Sequence, residues 1–277
     1  MPEIFTLNCR GRLLVISSPI VMGIMNATPD SFYSGSRQES VAGALQKAED
    51  MLKQGATILD IGGQSTRPGS EMGSVEQEIK RVTPVIDAIS KTFPEAFISI
   101  DTFHSLVAKA AVDSGAVIVN DISSGLFDPD MFSTVSSLKT PYVCMHLMGT
   151  PETMHEKRDY DDVTKEVLDF FIQKIAECKK YGIHDIIPDP GFGFSKKMED
   201  NFKLLKDLEV FSIVKKPLLL GVSRKSTIYK TLGITAEESL NGTTVLHTAG
   251  LLKGAIILRV HDVKEAMEAI KLTGYLQ

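Results

Sequence analysis

Short apolar runs alternate with longer amphipathic stretches along the chain, and this alternation is the feature that most restricts its fold. Eight runs rich in β-branched residues begin near positions 21, 56, 97, 116, 141, 185, 217 and 255. The segments between them carry apolar residues at helical spacing, as residues 162–182 illustrate. Eight strand–helix units at this length predict the α/β class, and specifically one (β/α)8 TIM barrel domain over residues 1–277.

A doubly wound open sheet is the main alternative to a barrel. That fold binds dinucleotides through a G-x-G-x-x-G motif after its first strand, and no such motif follows residues 21–26. Ahead of this run, residues 5–16 read FTLNCRGRLLVI, in which two strand-like segments flank a turn-like Cys-Arg-Gly. We therefore expect an N-terminal β-hairpin that closes the bottom of the barrel.

The composition excludes several classes of protein. No apolar run reaches the roughly 20 residues that span a bilayer, and the N-terminus lacks the apolar stretch of a signal peptide. The three cysteines show no metal-ligand spacing, and their odd number argues against a disulfide framework. A net charge of -5 gives no basic footprint for nucleic acid. We expect a cytoplasmic protein that binds neither membrane nor nucleic acid.

Nearly every apolar run ends in a polar residue. These residues are Asn26, Asp60, Asp101, Asn120, His146, Asp189, Ser223, Arg259 and His261. In a barrel, the carboxyl ends of the strands meet at one mouth, where active sites of this fold lie. Any one of these residues could instead be a helix N-cap or a turn residue. The complete set favours an active site.

The last run places two polar side chains on one face. Successive side chains of a strand point to opposite faces, so Ile256, Leu258 and Val260 should face the helices. The opposite face then carries Ala255, Ile257, Arg259 and His261. Arg224 and Lys225 follow the seventh strand, next to the eighth. This cluster predicts an anion site where such barrels often bind phosphate, although basic residues usually mark a solvated surface.

Three long loops follow strands 1, 2 and 6. Residues 26–37, 62–73 and 189–197 are rich in Gly, Ser, Thr and Pro, and they contain arginine or aromatic residues. Loops of this kind on one barrel face suit lids that close over a substrate and exclude water. The alternative is that they are ordinary solvated turns.

Eight motifs, taken in order, resemble the dihydropteroate synthases, a family of folate-pathway enzymes. They are MGIMNATPDSF, DIGGQSTRPGS, SIDT, VNDISSG, MHLMGTPETM, DPGFGF, GVSRKS and ILRVHDV, and they extend from about Val21 to Val263. The resemblance implies a magnesium-dependent transferase on a TIM barrel. It would condense 6-hydroxymethyl-7,8-dihydropterin pyrophosphate with p-aminobenzoate to give 7,8-dihydropteroate and pyrophosphate. It also implies a homodimer.

The resemblance assigns the pterin pocket to Asp101, Asn120, Asp189 and Lys225, with Ile122 and Met145 against the flat ring. A pterin carries N–H donors beside ring-nitrogen and carbonyl acceptors, so carboxylate, amide and ammonium groups can satisfy it. Ile122 and Met145 could equally be plain barrel core.

The resemblance also assigns the pyrophosphate to Arg259 and His261, with Asn26 supporting Mg2+ and the Thr66–Arg67 loop closing over it. It implies an SN1-like substitution in which Asp101, Lys225, Arg259 and His261 are the catalytic residues. The implied p-aminobenzoate pocket, where sulfonamides would compete, consists of Phe32, Thr66, Pro68, Phe194, Lys225 and Ser226.

Two other functions remain open from the sequence. The barrel that binds methyltetrahydrofolate for corrinoid methyl transfer also uses carboxylate and amide side chains to bind the pterin ring. It needs no pyrophosphate site. A barrel aldolase would instead use Lys225 as a Schiff-base lysine. Gln64 departs from the family, which more often has Glu at this position. His104 and His247 have no role in this scheme and are interpreted as surface or core residues.

Overall fold

The computed structural model describes residues 3–27, 37–64, 73–154 and 156–276. The strands are β1 (Phe5–Cys9), β2 (Arg12–Ile16), β3 (Ile20–Asn26), β4 (Ile58–Gly62), β5 (Phe97–Asp101), β6 (Ile118–Asp121), β7 (Tyr142–Met145), β8 (Ile186–Asp189), β9 (Leu219–Leu220) and β10 (Ile257–Val260). The helices are α1 (Arg37–Gln54), α2 (Val75–Thr92), α3 (Ser105–Asp113), α4 (Met131–Leu138), α5 (Val163–Lys180), α6 (Met198–Lys206), a 3-10 helix over Leu208–Val214, α7 (Ser226–Leu232), α8 (Leu240–Leu252) and α9 (Val263–Thr273).

The strands β3 to β10 form one parallel sheet that curls into a barrel. Each strand pairs with its neighbour along the chain from β3 to β8, and β10 returns to pair with both β3 and β9. Within the described residues, β8 and β9 share no ladder hydrogen bonds, although they lie side by side. The barrel is therefore closed except for this seam, which confirms the predicted (β/α)8 architecture.

Side-chain caps set where several helices begin. Ser74 and Gln77 form a reciprocal capping box at the start of α2, with hydrogen bonds of 3.3 and 3.1 Å. Asp162 accepts from the first amides of α5. Most helices bury an apolar face against the outside of the barrel, where Val82 of α2 and Phe171 of α5 belong to the larger core. Among the described residues, no helix has both the length and the apolar composition to cross a membrane.

The N-terminal hairpin closes the bottom of the barrel, as predicted. β1 and β2 pair antiparallel, and one face of the hairpin buries Leu7 and Ile16. These side chains pack against an inward-facing layer of the barrel, which consists of Met22, Ile58, Ile118, Val143, Ile187, Leu219 and Ile257. Because the two sets form one continuous cluster, the barrel has an apolar floor.

The predicted alternation of the last strand holds within β10 but not before it. Leu258 and Val260 join the outer core and Ile257 joins the floor, as expected. Ala255 and Ile256 were assigned to the wrong faces, because Ala255 packs in the outer core and Ile256 against the floor. Both residues precede the strand, where the backbone no longer follows the period of two.

Candidate active site

A polar layer lies directly above the apolar floor. Asp60, Asn120, Asp189 and Arg259 each follow a floor residue by two positions, so their side chains point into the same barrel interior. Strand register adds Asp101, which lies opposite Asn120 on one side and Gly62 on the other. The strand ends therefore converge on one mouth.

Arg259 is the centre of this layer. Its Nε donates to Asp60 at 2.6 Å, and its Nη2 donates to Asp101 at 2.5 Å. Burial opposes the charge on Arg259, yet the two carboxylates outweigh it and raise its pKa above the ordinary value. Asn120 donates to the same Asp60 oxygen at 2.9 Å, so one carboxylate orients both a guanidinium and an amide.

Asp101 sits in an acidic environment. Burial raises its pKa to about 7, and the charge of Arg259 offsets this rise only in part, because Asp60 and Glu78 repel a further negative charge. Asp101 can therefore gain or lose a proton near neutral pH. A carboxylate of this kind can accept hydrogen bonds from a ligand that carries N–H donors.

Lys225 and Asp189 are a second set of opposite charges at the mouth, close enough for each to favour the charged form of the other. Burial lowers the pKa of Lys225 to about 8, although the nearby Asp189 favours the charged form. The ammonium donates to the backbone carbonyl of Phe192 and lies 4.6 Å from the centre of the Phe194 ring. Asp189 accepts from the backbone N–H of Gly191 at 2.8 Å, which fixes the loop that carries both phenylalanines.

Ile122 and Met145, the two residues predicted to lie against the pterin ring, share a cluster with Phe194, which was predicted for the p-aminobenzoate pocket. All three are almost fully buried and belong to one small cluster, separate from the barrel floor and the outer core. His146, one of the predicted strand-end residues, does not join them. Its ring packs 4.9 Å from the ring of Phe170 on α5, because it points away from the barrel interior.

The two remaining predicted residues of the anion site lie on neighbouring strands. His261 directly follows β10, and its Nδ1 lies 3.0 Å from the hydroxyl of Ser223. Asn26 ends β3, opposite Gly62, which in turn lies opposite Asp101. Ser226 begins α7, directly after Lys225. Asn26, Ser226 and His261 thus lie near the carboxyl ends of β3, β9 and β10, respectively.

Known proteins match this chain over nearly its whole length. A model of the pterin binding enzyme family matches residues 22–261. The dihydropteroate synthase of Escherichia coli (strain K12) is 43% identical over 265 residues, which cover 95% of this chain and 93% of that protein. The chain belongs to the dihydropteroate synthase family. It is therefore a transferase of folate biosynthesis, as the resemblance implied.

Two solved structures of dihydropteroate synthases support this assignment. A structure of the Xanthomonas albilineans enzyme with 4-aminobenzoic acid has a TM-score of 0.91 and 37% identity, and the match covers 98% of both chains. The same enzyme in complex with 7,8-dihydropteroate has a TM-score of 0.88 and 36% identity over 99% of both chains. At this identity the likeness extends to the family as well as the fold.

The prediction that Arg224 contributes to an anion site is wrong. Its guanidinium forms a bidentate pair with Asp262, with two hydrogen bonds of 2.8 Å, and it also donates to the carbonyls of Ala236 and Glu237. The same pair explains why Asp262 does not act as a helix cap. This residue occupies the N-cap position of α9, but its carboxylate binds Arg224 and caps no helix amide. Arg224 therefore links the loop that precedes α8 with the start of α9.

Four predicted dihydropteroate synthase residues, Phe32, Thr66, Arg67 and Pro68, lie outside the described residues. Gln64, which borders the second of these segments, is described. Its amide donates to the buried carboxylate of Glu78 at 2.6 Å. A glutamate, the more frequent residue of the family, could make this contact only if the two carboxyl groups shared a proton.

Two buried charged residues near the mouth received no role from sequence reasoning. Asp60 was noted as a strand-end residue, and its place two positions after Ile58 was the available signal. Lys196 is only 4% exposed, and its ammonium donates to the carbonyls of His146, Gly191 and Phe194. Burial lowers its pKa to about 7. Two consecutive lysines are typical of a solvated surface, so nothing in the sequence indicated that Lys196 is buried.

His104 and His247 fit the expectation of surface or core histidines. His104 is half-buried at the start of α3, 4.4 Å from the ring of Phe103. His247 is buried in α8, where desolvation lowers its pKa to about 4. Neither contacts the charged residues of the mouth through a hydrogen bond within the described part of the chain.

Proposed function

We propose that the mouth of the barrel condenses 6-hydroxymethyl-7,8-dihydropterin pyrophosphate with p-aminobenzoate through a dissociative, SN1-like substitution. The observation that carries the proposal is the Asp60–Arg259–Asp101 cluster with Asn120, set beside Asp189 and Lys225. A neutral heterocycle needs the buried acceptors, and an anionic leaving group needs the cations. One site supplies both.

The pterin would occupy the deeper part of the mouth. Asn120 and Asp189 are only 3% and 4% exposed, so a ligand that reaches them is largely removed from water. Asp101 and Asp189 would accept from the N–H donors of the ring, and Asn120 and Lys225 would donate to its acceptors. Ile122 and Met145 offer apolar contact to the ring face.

The pyrophosphate would lie toward Arg259 and His261. Arg259 keeps its charge at any physiological pH, because two carboxylates stabilise it. It would bind the leaving group more strongly as negative charge develops during bond cleavage, which lowers the barrier. Asp101 would offset the positive charge that cleavage leaves on the pterin methylene and ring.

The residues at the mouth fit a magnesium ion carried by the substrate. No group of three or more His, Cys, Asp or Glu side chains among the described residues could hold a metal by itself. Mg2+ commonly binds substrate phosphates and several waters, with one or two protein oxygens. The amide oxygen of Asn26 is suited to be such a ligand. The ion, when bound, would neutralise charge on the leaving pyrophosphate.

p-Aminobenzoate would approach from the outer part of the mouth. Lys225 is half-buried beside Phe194, and Ser226 follows it at the start of α7. The cation and the hydroxyl suit the carboxylate of p-aminobenzoate, and the phenylalanine ring suits its aromatic face. Phe32, Thr66 and Pro68 stay predictions for this pocket. A sulfonamide of the same shape would compete here.

The test is pyrophosphate release from the pterin substrate, measured with and without p-aminobenzoate and Mg2+. We expect release with both present, and a slower release when p-aminobenzoate is omitted, because departure precedes attack in a dissociative reaction. Pterin binding without any release would support the methyltetrahydrofolate-type binding barrel instead. An adduct trapped on Lys225 by borohydride would support the aldolase.

We also propose that the enzyme is a homodimer in the cytoplasm. Helix α8 exposes Val245 and Leu252 on one face, and it packs beside α9, which exposes Leu272. An apolar face of this kind indicates an interface. Val245→Arg should give a monomer by light scattering, whereas Leu106→Arg, at a similarly exposed leucine of α3, should not.

The proposed cytoplasmic location is supported by the cysteines. The three cysteine thiols are free and buried, which suits a reducing compartment.

A further inference from the structure

Ser223 and His261 are paired by the fold itself. β9 and β10 run parallel, with Leu220 opposite Leu258, and Ser223 and His261 each follow this pair by three residues. Two contacts result from this register. The Ser223 hydroxyl oxygen accepts the backbone N–H of His261 at 3.2 Å, and it lies 3.0 Å from the imidazole Nδ1. Ser223 is only 4% exposed, so water has little access to the hydroxyl.

The hydrogen balance of this pair selects one imidazole tautomer. A serine hydroxyl carries a single hydrogen, and within the described residues the only acceptor in reach is Nδ1 of His261. If Nδ1 carried a proton, the hydroxyl hydrogen would remain buried without an acceptor. Such groups are rare in folded proteins, because an unmade buried hydrogen bond is costly. The serine therefore donates to Nδ1, and the proton of a neutral ring lies on Nε2.

The charges around His261 also favour a neutral ring. Desolvation and the positive charge of Arg259 lower its pKa to about 4. Arg224 and Lys47 act in the same direction, and Asp262 opposes them. A charged imidazolium would donate from both nitrogens, so Nδ1 could no longer accept from the serine. His261 as a residue is exposed, so its ring is accessible to a ligand at the mouth.

We propose that Ser223 is a positioning residue that holds neutral His261 in its Nε2–H tautomer, so that this N–H donates to an oxygen of the departing pyrophosphate. In this scheme Arg259 supplies positive charge, and His261 supplies a fixed, uncharged donor. The inference deepens the proposed function and rests on it for the identity of the ligand. The tautomer itself does not depend on the reaction.

The first experiment measures the tautomer in the ligand-free enzyme by 15N NMR of protein labelled at histidine nitrogens, with His261→Asn used for assignment. We expect a protonated Nε2 and an unprotonated Nδ1 for His261 in the wild type. In Ser223→Ala the two tautomers should mix, and in Ser223→Thr, which keeps the hydroxyl, the wild-type pattern should return. A proton on Nδ1 in the wild type would overturn the proposal.

The second experiment separates positioning from a merely structural role. Ser223→Ala should lower kcat/KM for the pterin pyrophosphate about 2- to 10-fold, because only the fraction of His261 that keeps its proton on Nε2 can still donate to the leaving group. Its affinity for the pterin without pyrophosphate, from fluorescence titration, should equal that of the wild type. Ser223→Thr should restore most of the activity. Equal loss of affinity for both ligands in Ser223→Ala would show a purely structural serine.

Ser239→Ala is the matched control. Ser239 is also buried, and its hydroxyl donates to the carbonyl of Ala236, with no contact to His261. We expect kcat/KM and the His261 tautomer of this variant to match the wild type. If the wild type itself releases no pyrophosphate, the proposed function fails, while the NMR spectra still decide whether Ser223 sets the tautomer.

Discussion

Asp60 illustrates how one buried side chain can organise a site without facing solvent. It is fully buried, and one of its oxygens accepts from both Arg259 and Asn120. Its other oxygen has no hydrogen-bond partner among the described residues. Since Arg259 would otherwise have several rotamers available, Asp60 and Asp101 together fix the cation before any ligand arrives.

Replacing Asp60 should therefore affect both stability and binding. Asp60→Ala leaves Arg259 with one carboxylate and Asn120 with none, and we expect the free energy of unfolding to fall by about 3–5 kcal/mol. Urea denaturation measures this change. Asp87→Ala removes an exposed carboxylate that pairs with Lys91 on α2, and it should cost less than about 1 kcal/mol. Similar losses in both variants would show that Asp60 is not a central anchor.

Lys196 has a comparable role in the loop after β8. Lys196→Met removes a donor shared by three carbonyls, so we expect a loss of about 1–3 kcal/mol in unfolding free energy. The KM for p-aminobenzoate should rise as well, because Phe194 loses its fixed backbone. Lys197→Met changes the adjacent lysine, which is exposed and pairs with Asp159, and should leave both quantities nearly unchanged. An unchanged KM in Lys196→Met would contradict this positioning role.

At the scale of single elements, the β8 loop depends on the close approach of two backbones. Gly191 has a φ of +68°, and a Cβ at this position would collide with the carbonyl oxygen of His146, which follows β7. Backbone atoms cannot move aside as a flexible side chain can. Only glycine therefore allows the loop to pass the end of β7 and place Asp189 and Phe194 at the mouth.

Gly191→Ala and Gly233→Ala should differ strongly for this reason. Gly233 ends α7 with the same φ of +68°, but a Cβ added there would have no neighbouring atom within 4 Å among the described residues. We expect Gly233→Ala to cost about 1–2 kcal/mol from backbone strain alone. Gly191→Ala should cost more than about 4 kcal/mol, measured by chemical denaturation. Equal costs would mean that the β8 loop shifts freely and that the close approach is not required.

The strands of the barrel could be predicted from the sequence to within about three residues. Strands buried on both faces appear as continuous apolar runs, and each predicted run overlaps the observed strand. β9 is the weakest case, since only Leu219 and Leu220 of its run pair with a neighbour. Polar residues two positions after a floor residue could also be predicted. The seam beside β9 could not, because ladder hydrogen bonds have no signal in side-chain patterns.

The incorrect or missing predictions for the site residues have a common physical origin. Arg224 is adjacent to Lys225, yet it turns outward and pairs with Asp262, which lies far away in the chain. Lys196 turns inward, whereas Lys197 beside it is exposed. Whether a loop cation faces a pocket or a neighbouring helix depends on the backbone path, and a sequence pattern without regular periodicity does not specify that path.

At the scale of the whole molecule, the charged mouth should make ligand binding depend on pH. Asp101, with a pKa raised to about 7, must lose its proton to accept from a pterin, and Lys225, with a pKa lowered to about 8, must keep its own. We expect pterin affinity to be highest between these values and to fall about tenfold per pH unit below the lower one. Fluorescence titration across this range tests the profile, and Asp101→Asn should remove its acidic limb.

The stability of the ligand-free enzyme should depend on pH with the opposite sign. The pKa of Asp101 is higher in the folded protein than its ordinary value of 3.8, so its contribution to stability is present at low pH and is lost as pH rises through about 7. The shift in melting temperature caused by a saturating pterin should therefore grow from acidic to neutral pH. A constant shift would show that Asp101 keeps one charge state in both forms.

The hairpin floor makes the barrel a well with one opening. Among the described residues the base is closed, because Leu7 and Ile16 share one packed cluster with Ile58 and Ile257. Under the proposed roles, the pterin enters first and sits lowest, and the aryl acid rests above it. The ligand that binds last must then dissociate first. A bound pterin should therefore exchange more slowly once an aryl ligand occupies the outer part of the mouth.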